Sequence, residues 1–110
     1  MRAATFRRLA LELPGAEEVE TWETATFRVR KKIFVIVSAD HTSINVKADP
    51  DERPALLANE KRFYLPAYVG SKGWVGMHLS KGVDWGEVAE VVTTSYCMIA
   101  PKTLARLVQA

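Results

Sequence analysis

The sequence is poor in the residues that build thiol, disulfide and metal sites. Its 110 residues include one cysteine, Cys97, and two histidines, His41 and His78. A single cysteine excludes an internal disulfide and any site that needs two thiolates. These three residues lie far apart along the chain and match no recognisable spacing of metal ligands. We therefore expect neither a metal centre nor a cofactor.

Long apolar runs and a large excess of charge are also missing. The longest strongly apolar run, residues 33–37, is far too short to span a bilayer, and residues 1–13 lack a signal-peptide pattern. We therefore expect a cytoplasmic protein with no membrane partner. The formal net charge is only +2, which favours nucleic-acid binding only where the positive residues cluster. The length predicts one domain over residues 1–110.

The clearest pattern is a three-stranded meander within residues 24–48. Residues 24–29 and 42–48 alternate between apolar and polar side chains, as strands with one buried face do. Residues 33–37 between them are apolar on both faces, which is typical of a central strand. One face of the sheet is therefore expected to be buried, and the other to be polar and basic.

Helical patterns flank this meander. Residues 6–13 repeat apolar side chains at helical spacing, and a second helix is expected to begin at Asp49 or nearer Pro54. Asp84 and Glu87 form the pattern of a capping box, which predicts that a long helix starts there with Asp84 as its cap. Residues 74–79 alternate as a further strand, and the acidic segment 17–23 reads as a connector or a short edge strand. The predicted class is α+β: a single antiparallel sheet with helices on one face, in the order α-β-β-β-α-β-α-α.

Four groups of residues carry a family resemblance: Leu13-Pro14-Gly15-Ala16-Glu17-Glu18; Phe27-Arg28-Val29 with Ile33-Phe34; Tyr68-Val69-Gly70-Ser71-Lys72-Gly73-Trp74-Val75; and Ser95-Tyr96 with Ala100-Pro101-Lys102. In this order they resemble the YjbR/MmcQ family of small bacterial proteins. The resemblance implies an α+β fold whose hairpins project as a "double wing" associated with DNA binding, and it implies no catalytic residues.

The sequence departs from that family at Arg30-Lys31-Lys32, where relatives tend to carry glycines. A tight hairpin turn needs positive φ angles, which suit glycine and asparagine and penalise arginine and lysine. The chain must therefore use a looser loop or accept strain at this turn.

The basic residues are the candidate binding site. Arg28, Arg30, Lys31 and Lys32 place four cations within five residues, and long basic side chains on a hairpin reach phosphates. The sequence therefore predicts weak, salt-dependent DNA binding by Arg28, Arg30, Lys31, Lys32, Lys47 and Lys72. The alternative is a charged edge that guards against aggregation, and the acidic segment 17–23 could fold back beside the cluster.

A second function class is a protein–protein module or a homo-oligomer, which would use the exposed sheet face or an aromatic loop. The loop residues are Phe63, Tyr64, Tyr68 and Trp74, although Trp74 is more often a buried strand residue.

An enzyme is not expected, because the sequence shows no carboxylate pair, catalytic triad or metal set. His78 reads as a structural strand residue and His41 as a solvated turn residue. Cys97 reads as a small apolar residue of the last long helix. Ser95-Tyr96 reads as helix packing, with the tyrosine hydroxyl satisfied at the surface.

Overall fold

In the computed structural model, which describes residues 3–21, 24–79 and 82–108, six strands form one antiparallel sheet and four α-helices accompany it. The strands are β1 (Ala16–Thr21), β2 (Thr24–Val29), β3 (Lys32–Val37), β4 (Ser43–Lys47), β5 (Phe63–Tyr64) and β6 (Trp74–His78). The helices are α1 (Ala3–Leu11), α2 (Arg53–Ala58), α3 (Trp85–Ile99) and α4 (Lys102–Ala105), and a 3-10 helix covers Val69–Lys72. The strand order across the sheet is β1-β2-β3-β4-β6-β5.

The α+β class and the meander β2-β3-β4 are confirmed. The acidic segment is an edge strand, β1, over its described part, while Trp22 and Glu23 lie outside the described residues. α2 begins at Arg53 with Pro54 in its first turn, so the later of the two expected starts is the right one. The irregular stretch before β6 contains β5, a strand too short to show alternation.

The Asp84 cap of α3 is also confirmed, since its carboxylate accepts the backbone N–H groups of Gly86 at 2.8 Å and Glu87 at 3.4 Å. The carboxylate of Glu87 does not complete a capping box. It forms an ion pair with Arg62 in the loop before β5.

The core lies between the helices and one face of the sheet. Phe6 of α1 packs edge-on against Phe27 of β2, with the ring centroids 5.5 Å apart. Val88 and Val92 of α3 are fully buried over the sheet. Burying such a side chain stabilises the fold by roughly 1.5–3 kcal/mol, so this layer holds the helices on one face.

A β-bulge interrupts the pairing of β2 with β3. The register shifts between Phe27 and Arg28, which leaves one extra residue, Phe34, on β3. The extra residue lets Phe34 and its neighbour Val35 both be buried, against the strict alternation of a regular strand. The ring of Phe34 meets the ring of Tyr96 on α3 edge-on at 5.3 Å. Residues 33–37 are all apolar, so their pattern is the same whether or not one of them forms a bulge, and the sequence did not predict the bulge.

The hydroxyl of Ser95 joins α3 to the sheet beside this bulge. It donates to the carbonyl of Phe34 at 2.6 Å and accepts the backbone N–H of Lys47 at 2.9 Å. The described pairing of β3 with β4 ends with Val35 opposite Val46. The Ser95 hydroxyl therefore connects Phe34 and Lys47, the two residues that would form the next pair of the ladder. Ser95 is completely buried, and this bridge satisfies a buried backbone carbonyl and a part-buried backbone N–H.

Tyr96, the next residue, corrects an expectation. It packs in the helix as predicted, but its hydroxyl is not satisfied at the surface: the residue is fully buried, and the hydroxyl donates to the carbonyl of Pro14 at 2.5 Å. Burial raises the pKa of Tyr96, the neighbouring Cys97 raises it further, and the positive charge of Arg30 acts in the opposite direction. The hydroxyl thus ties α3 to the turn that leads into β1.

Ser95→Ala should lower the free energy of unfolding by about 2–4 kcal/mol, because it leaves a buried carbonyl and a part-buried N–H without their partner. Urea unfolding measures this loss. Thr93→Ala, which removes a partly exposed hydroxyl from the same helix, is the control and should cost much less. Equal losses in the two variants would contradict the assigned role of Ser95.

The turn between β3 and β4 is organised by the carboxylate of Asp40. Asp40 Oδ1 accepts the Thr42 hydroxyl at 2.7 Å, the Ser38 hydroxyl at 2.8 Å and the Thr42 backbone N–H at 3.1 Å. These hydrogen bonds, that of the Thr42 hydroxyl first, lower the pKa of Asp40 from 3.8 to about 2. His41, at the tip of this turn, is exposed as expected.

The pKa of Asp40 is lower in the folded chain than in the unfolded chain. The Asp40 carboxylate therefore contributes its full stabilisation above pH 3.8, and this stabilisation is lost as the pH falls through about 2. Wild type should therefore be more stable than Asp40→Asn at neutral pH, and the difference should shrink steadily at acidic pH. Denaturant unfolding of both proteins across this range measures it. A difference that is independent of pH would show that the carboxylate is not held in this way.

Candidate nucleic-acid interface

The face of the sheet opposite the core is polar, and we call it the open face. One row of paired residues crosses it from strand to strand: Thr26, Ile36, Asn45, Gly76 and Tyr64. Arg28 and Lys47 continue the same alternation along their own strands. The polar and basic face that the alternation of the meander predicts is therefore present, and it extends across β6 and β5.

Five of the six predicted site residues lie toward one end of the sheet, which we call the basic end: Arg30, Lys31, Lys32, Lys47 and Lys72. Arg30 and Lys31 form the turn between β2 and β3. Lys47 ends β4 opposite Trp74, the first residue of β6, and Lys72 closes the 3-10 helix just before that strand. With strands about 4.8 Å apart, the strands of the β2–β3 hairpin and β6 are separated by roughly 10–14 Å across the sheet.

The hairpin turn at this end is strained. Val29 pairs directly with Lys32, so only Arg30 and Lys31 connect the strands, and their φ angles are +51° and +70°. The chain therefore keeps the tight turn and accepts the strain, the second of the two expected outcomes. Left-handed backbone costs roughly 1–2 kcal/mol for each residue other than glycine. The turn thus holds its two cations exposed at a cost in stability.

Arg28, the sixth predicted residue, is held by neighbouring side chains on the open face. Its guanidinium donates from Nε to the hydroxyl of Thr26 at 3.1 Å and from Nη2 to the hydroxyl of Thr21 at 3.2 Å. Glu17 stands directly opposite it on β1. The acidic segment therefore does fold back beside the basic residues, and it lowers the positive charge on the β1 side of the sheet.

An aromatic pair lies on the open face at the other side of the sheet. The Tyr64 ring covers Gly76, where an added Cβ would fall 2.1 Å from the ring. Its hydroxyl donates to the Ser43 hydroxyl at 2.9 Å and lies 3.2 Å from Asn45 Oδ1. The His78 ring lies against it, with centroids 4.8 Å apart. Sequence reasoning missed this arrangement. Its one signal is Gly76 in the middle of a strand, since such a glycine often marks a close approach.

The remaining candidates are placed as follows. Trp74 is only 9% exposed, so it packs in the protein as expected and offers no ring for stacking. Phe63 is buried as well, whereas Tyr68 is 95% exposed. Cys97 is partly buried and packs against the core from α3, as expected. The aromatic loop therefore presents one fully exposed ring.

None of the helices within residues 3–21, 24–79 and 82–108 has the length and apolar character needed to cross a membrane.

Comparisons with known proteins agree with this architecture. A search of curated proteins found no match. Two solved structures share the fold. A Deinococcus radiodurans protein with the family-model domain DUF419 has a TM-score of 0.78 at 22% identity, covering 87% of this chain and 76% of its own. A Pseudomonas syringae protein has a TM-score of 0.71 at 16% identity, covering 90% and 99% respectively. The model of the YjbR family matches residues 11–98, and the chain therefore belongs to the YjbR family.

Proposed function

We propose that this protein is a non-catalytic, cytoplasmic DNA-binding protein that contacts phosphates with the basic end of its sheet. The observation that carries the proposal is the convergence of Arg30, Lys31, Lys32, Lys47 and Lys72, from three separate parts of the chain, at one end of the fold. Contacts from lysine and arginine side chains to phosphates fix the position of a protein on DNA, and such contacts carry no sequence information.

Two projecting elements would act as the wings. The β2–β3 hairpin presents Arg30 and Lys31 at its tip, and the 3-10 helix before β6 presents Lys72. Lys47 lies between them at the end of β4. The two wings are at least roughly 10–14 Å apart, which corresponds to three or more nucleotides of rise along one DNA strand. The wings therefore suit several phosphates of one backbone.

The strained turn supports the same proposal. Glycine or asparagine at Arg30 and Lys31 would relieve the positive φ angles, yet the chain carries two cations there. Strained backbone is retained where the surrounding structure holds it and the side chains have a use. With at most five phosphate contacts and a net charge of only +2, binding should be weak. A plot of the logarithm of the binding constant against the logarithm of the salt concentration should have a slope of about −4.5, or about −0.9 for each contact.

The combined variant Arg30→Asn, Lys31→Gly, Lys32→Gln removes the charge of the hairpin without threatening the fold. Asparagine and glycine suit the two positions of the turn, so the variant should be more stable than wild type by roughly 1 kcal/mol or more. Its binding to a labelled DNA duplex at low salt should weaken strongly, and its salt slope should fall by about 3. Fluorescence anisotropy at several salt concentrations measures both.

The single variants Lys31→Gly and Lys61→Gln provide a control matched in charge. Each removes one positive charge, but Lys61 lies beside Arg62, whose carbonyl accepts the N–H of His78 at the opposite end of β6. Lys31→Gly should weaken DNA binding more than Lys61→Gln. Equal effects would show that binding follows net charge alone, and no binding by wild type at low salt would overturn the proposal.

A second candidate is self-association through the loop before β6. Tyr68 has φ and ψ of +64° and −65°, and the Val69 N–H closes a tight turn around it onto the carbonyl of Ala67 at 2.7 Å. The turn holds the Tyr68 ring in solvent, and nearby Leu65 is 63% exposed. Exposed apolar side chains of this size are typical of protein interfaces.

If this candidate is right, wild type should dimerise at high concentration and Tyr68→Gly, which suits the positive φ, should remain monomeric. Sedimentation velocity over a concentration series distinguishes the two. A wild-type protein that stays monomeric throughout would exclude self-association through this loop.

A further inference from the structure

A groove of about 550 Å³ lies on the helical side of the sheet, away from the open face. Its floor is made by Val46 of β4 and Val75 of β6, both buried in the core layer, and Leu56 of α2 lines it as well. The volume falls within the range of small-molecule sites, which are usually apolar hollows with a few polar groups at the margin. The floor therefore suits an apolar ligand body.

α3 forms one wall of this groove with a stripe separate from the one that it buries. Glu87, Glu90, Val91 and Thr94 line the groove at the i, i+3, i+4, i+7 spacing of a helix face. The residues that α3 buries fully are different ones: Val88, Val92, Ser95 and Tyr96. Of the groove stripe, Val91 also packs against the core, so the residues of this stripe that α3 gives to the groove beyond the core layer are Glu87, Glu90 and Thr94.

The charge around the groove is strongly one-sided. Of its described lining residues, four are acidic, namely Asp49, Glu52, Glu87 and Glu90, and one, Lys47, is basic. Asp49 Oδ1 accepts the backbone N–H of Asp51 at 2.8 Å, and Glu87 is paired with Arg62. Glu52 and Glu90 are exposed at the groove. The excess of carboxylates over an apolar floor favours a cation and repels an anion.

We propose that this groove binds an organic cation with an apolar body, of the aryl-alkyl primary amine class. The apolar body would lie on Val46, Val75 and Leu56, and the ammonium would lie beside Glu52 and Glu90. Purely inorganic cations gain nothing from the apolar floor, and neutral apolar molecules gain nothing from the carboxylates. The groove lies on the other side of the sheet from the open face and shares only Lys47 with the basic end, so the proposal does not rest on the proposed DNA binding.

Three probes of the same shape and different charge test this proposal: 2-phenylethylamine, 2-phenylethanol and 3-phenylpropanoate. Each is titrated into the ¹⁵N-labelled protein of residues 1–110 and followed by amide chemical shifts. The amine should shift the amides of Val46, Val75 and Glu90, with a Kd of about 1 mM as expected for a ligand of this size. The alcohol should bind more weakly, and the carboxylate more weakly still.

Glu90→Gln and Glu12→Gln provide the matched comparison. Both remove one exposed carboxylate, but only Glu90 lines the groove. Glu90→Gln should weaken binding of the amine about two- to fivefold and leave binding of the alcohol unchanged, while Glu12→Gln should change neither. Equal affinities for the amine and the carboxylate, shifts confined to other parts of the fold, or no shifts up to the solubility limit of the amine would each overturn the proposal.

Discussion

The bridge made by the Ser95 hydroxyl is the interaction on which the arrangement of this protein depends. It ties α3 to the carbonyl of Phe34 on β3 and to the N–H of Lys47 on β4, where the β3–β4 ladder ends beside the bulge. Without this hydroxyl, the Phe34 carbonyl and the Lys47 N–H would lose the partner that it gives them. Because the bridge satisfies both, the hairpin base, the end of β4 and the position of α3 above the sheet are set together. Lys47, whose N–H the bridge holds, belongs to the basic end and also lines the groove, so both surfaces adjoin this bridge.

Much of the fold follows from local signals in the sequence. Alternation predicts the meander, Asp84 predicts the start of α3, and the acidic residues after Gly15 allow the edge strand that is found. The features that sequence reasoning missed depend on tertiary contact. An unbroken apolar run hides the bulge at Phe34, and the hydroxyl of Tyr96 finds its acceptor on Pro14, which is 82 residues away along the chain. β5, with two residues, is too short for any periodicity.

The candidate interface also combines features that the sequence predicts with features that depend on tertiary contacts. The hairpin cluster is visible in the sequence because its cations are neighbours, and its tight turn was one of two outcomes that the missing glycines allowed. That Lys72 reaches the same end as Lys47 depends on the pairing of β6 with β4, which the order of elements leaves open. The groove was not predicted at all, because it requires α2 and α3 to stand apart over β4 and β6. A sequence pattern indicates which face of one helix or strand is buried. The basic end and the groove are each formed by residues of several elements, so such patterns do not predict them.

The central claim is that the basic end of the sheet is the surface that meets DNA, and mapping the contact on labelled protein tests it most directly. Amide shifts are recorded as a short DNA duplex is added at low salt. The account predicts that the largest changes fall at Arg30, Lys31, Lys32, Lys47 and Lys72, and that they disappear together as salt is raised. Changes centred instead on β1, on the Tyr68 loop or on the acidic groove would contradict it.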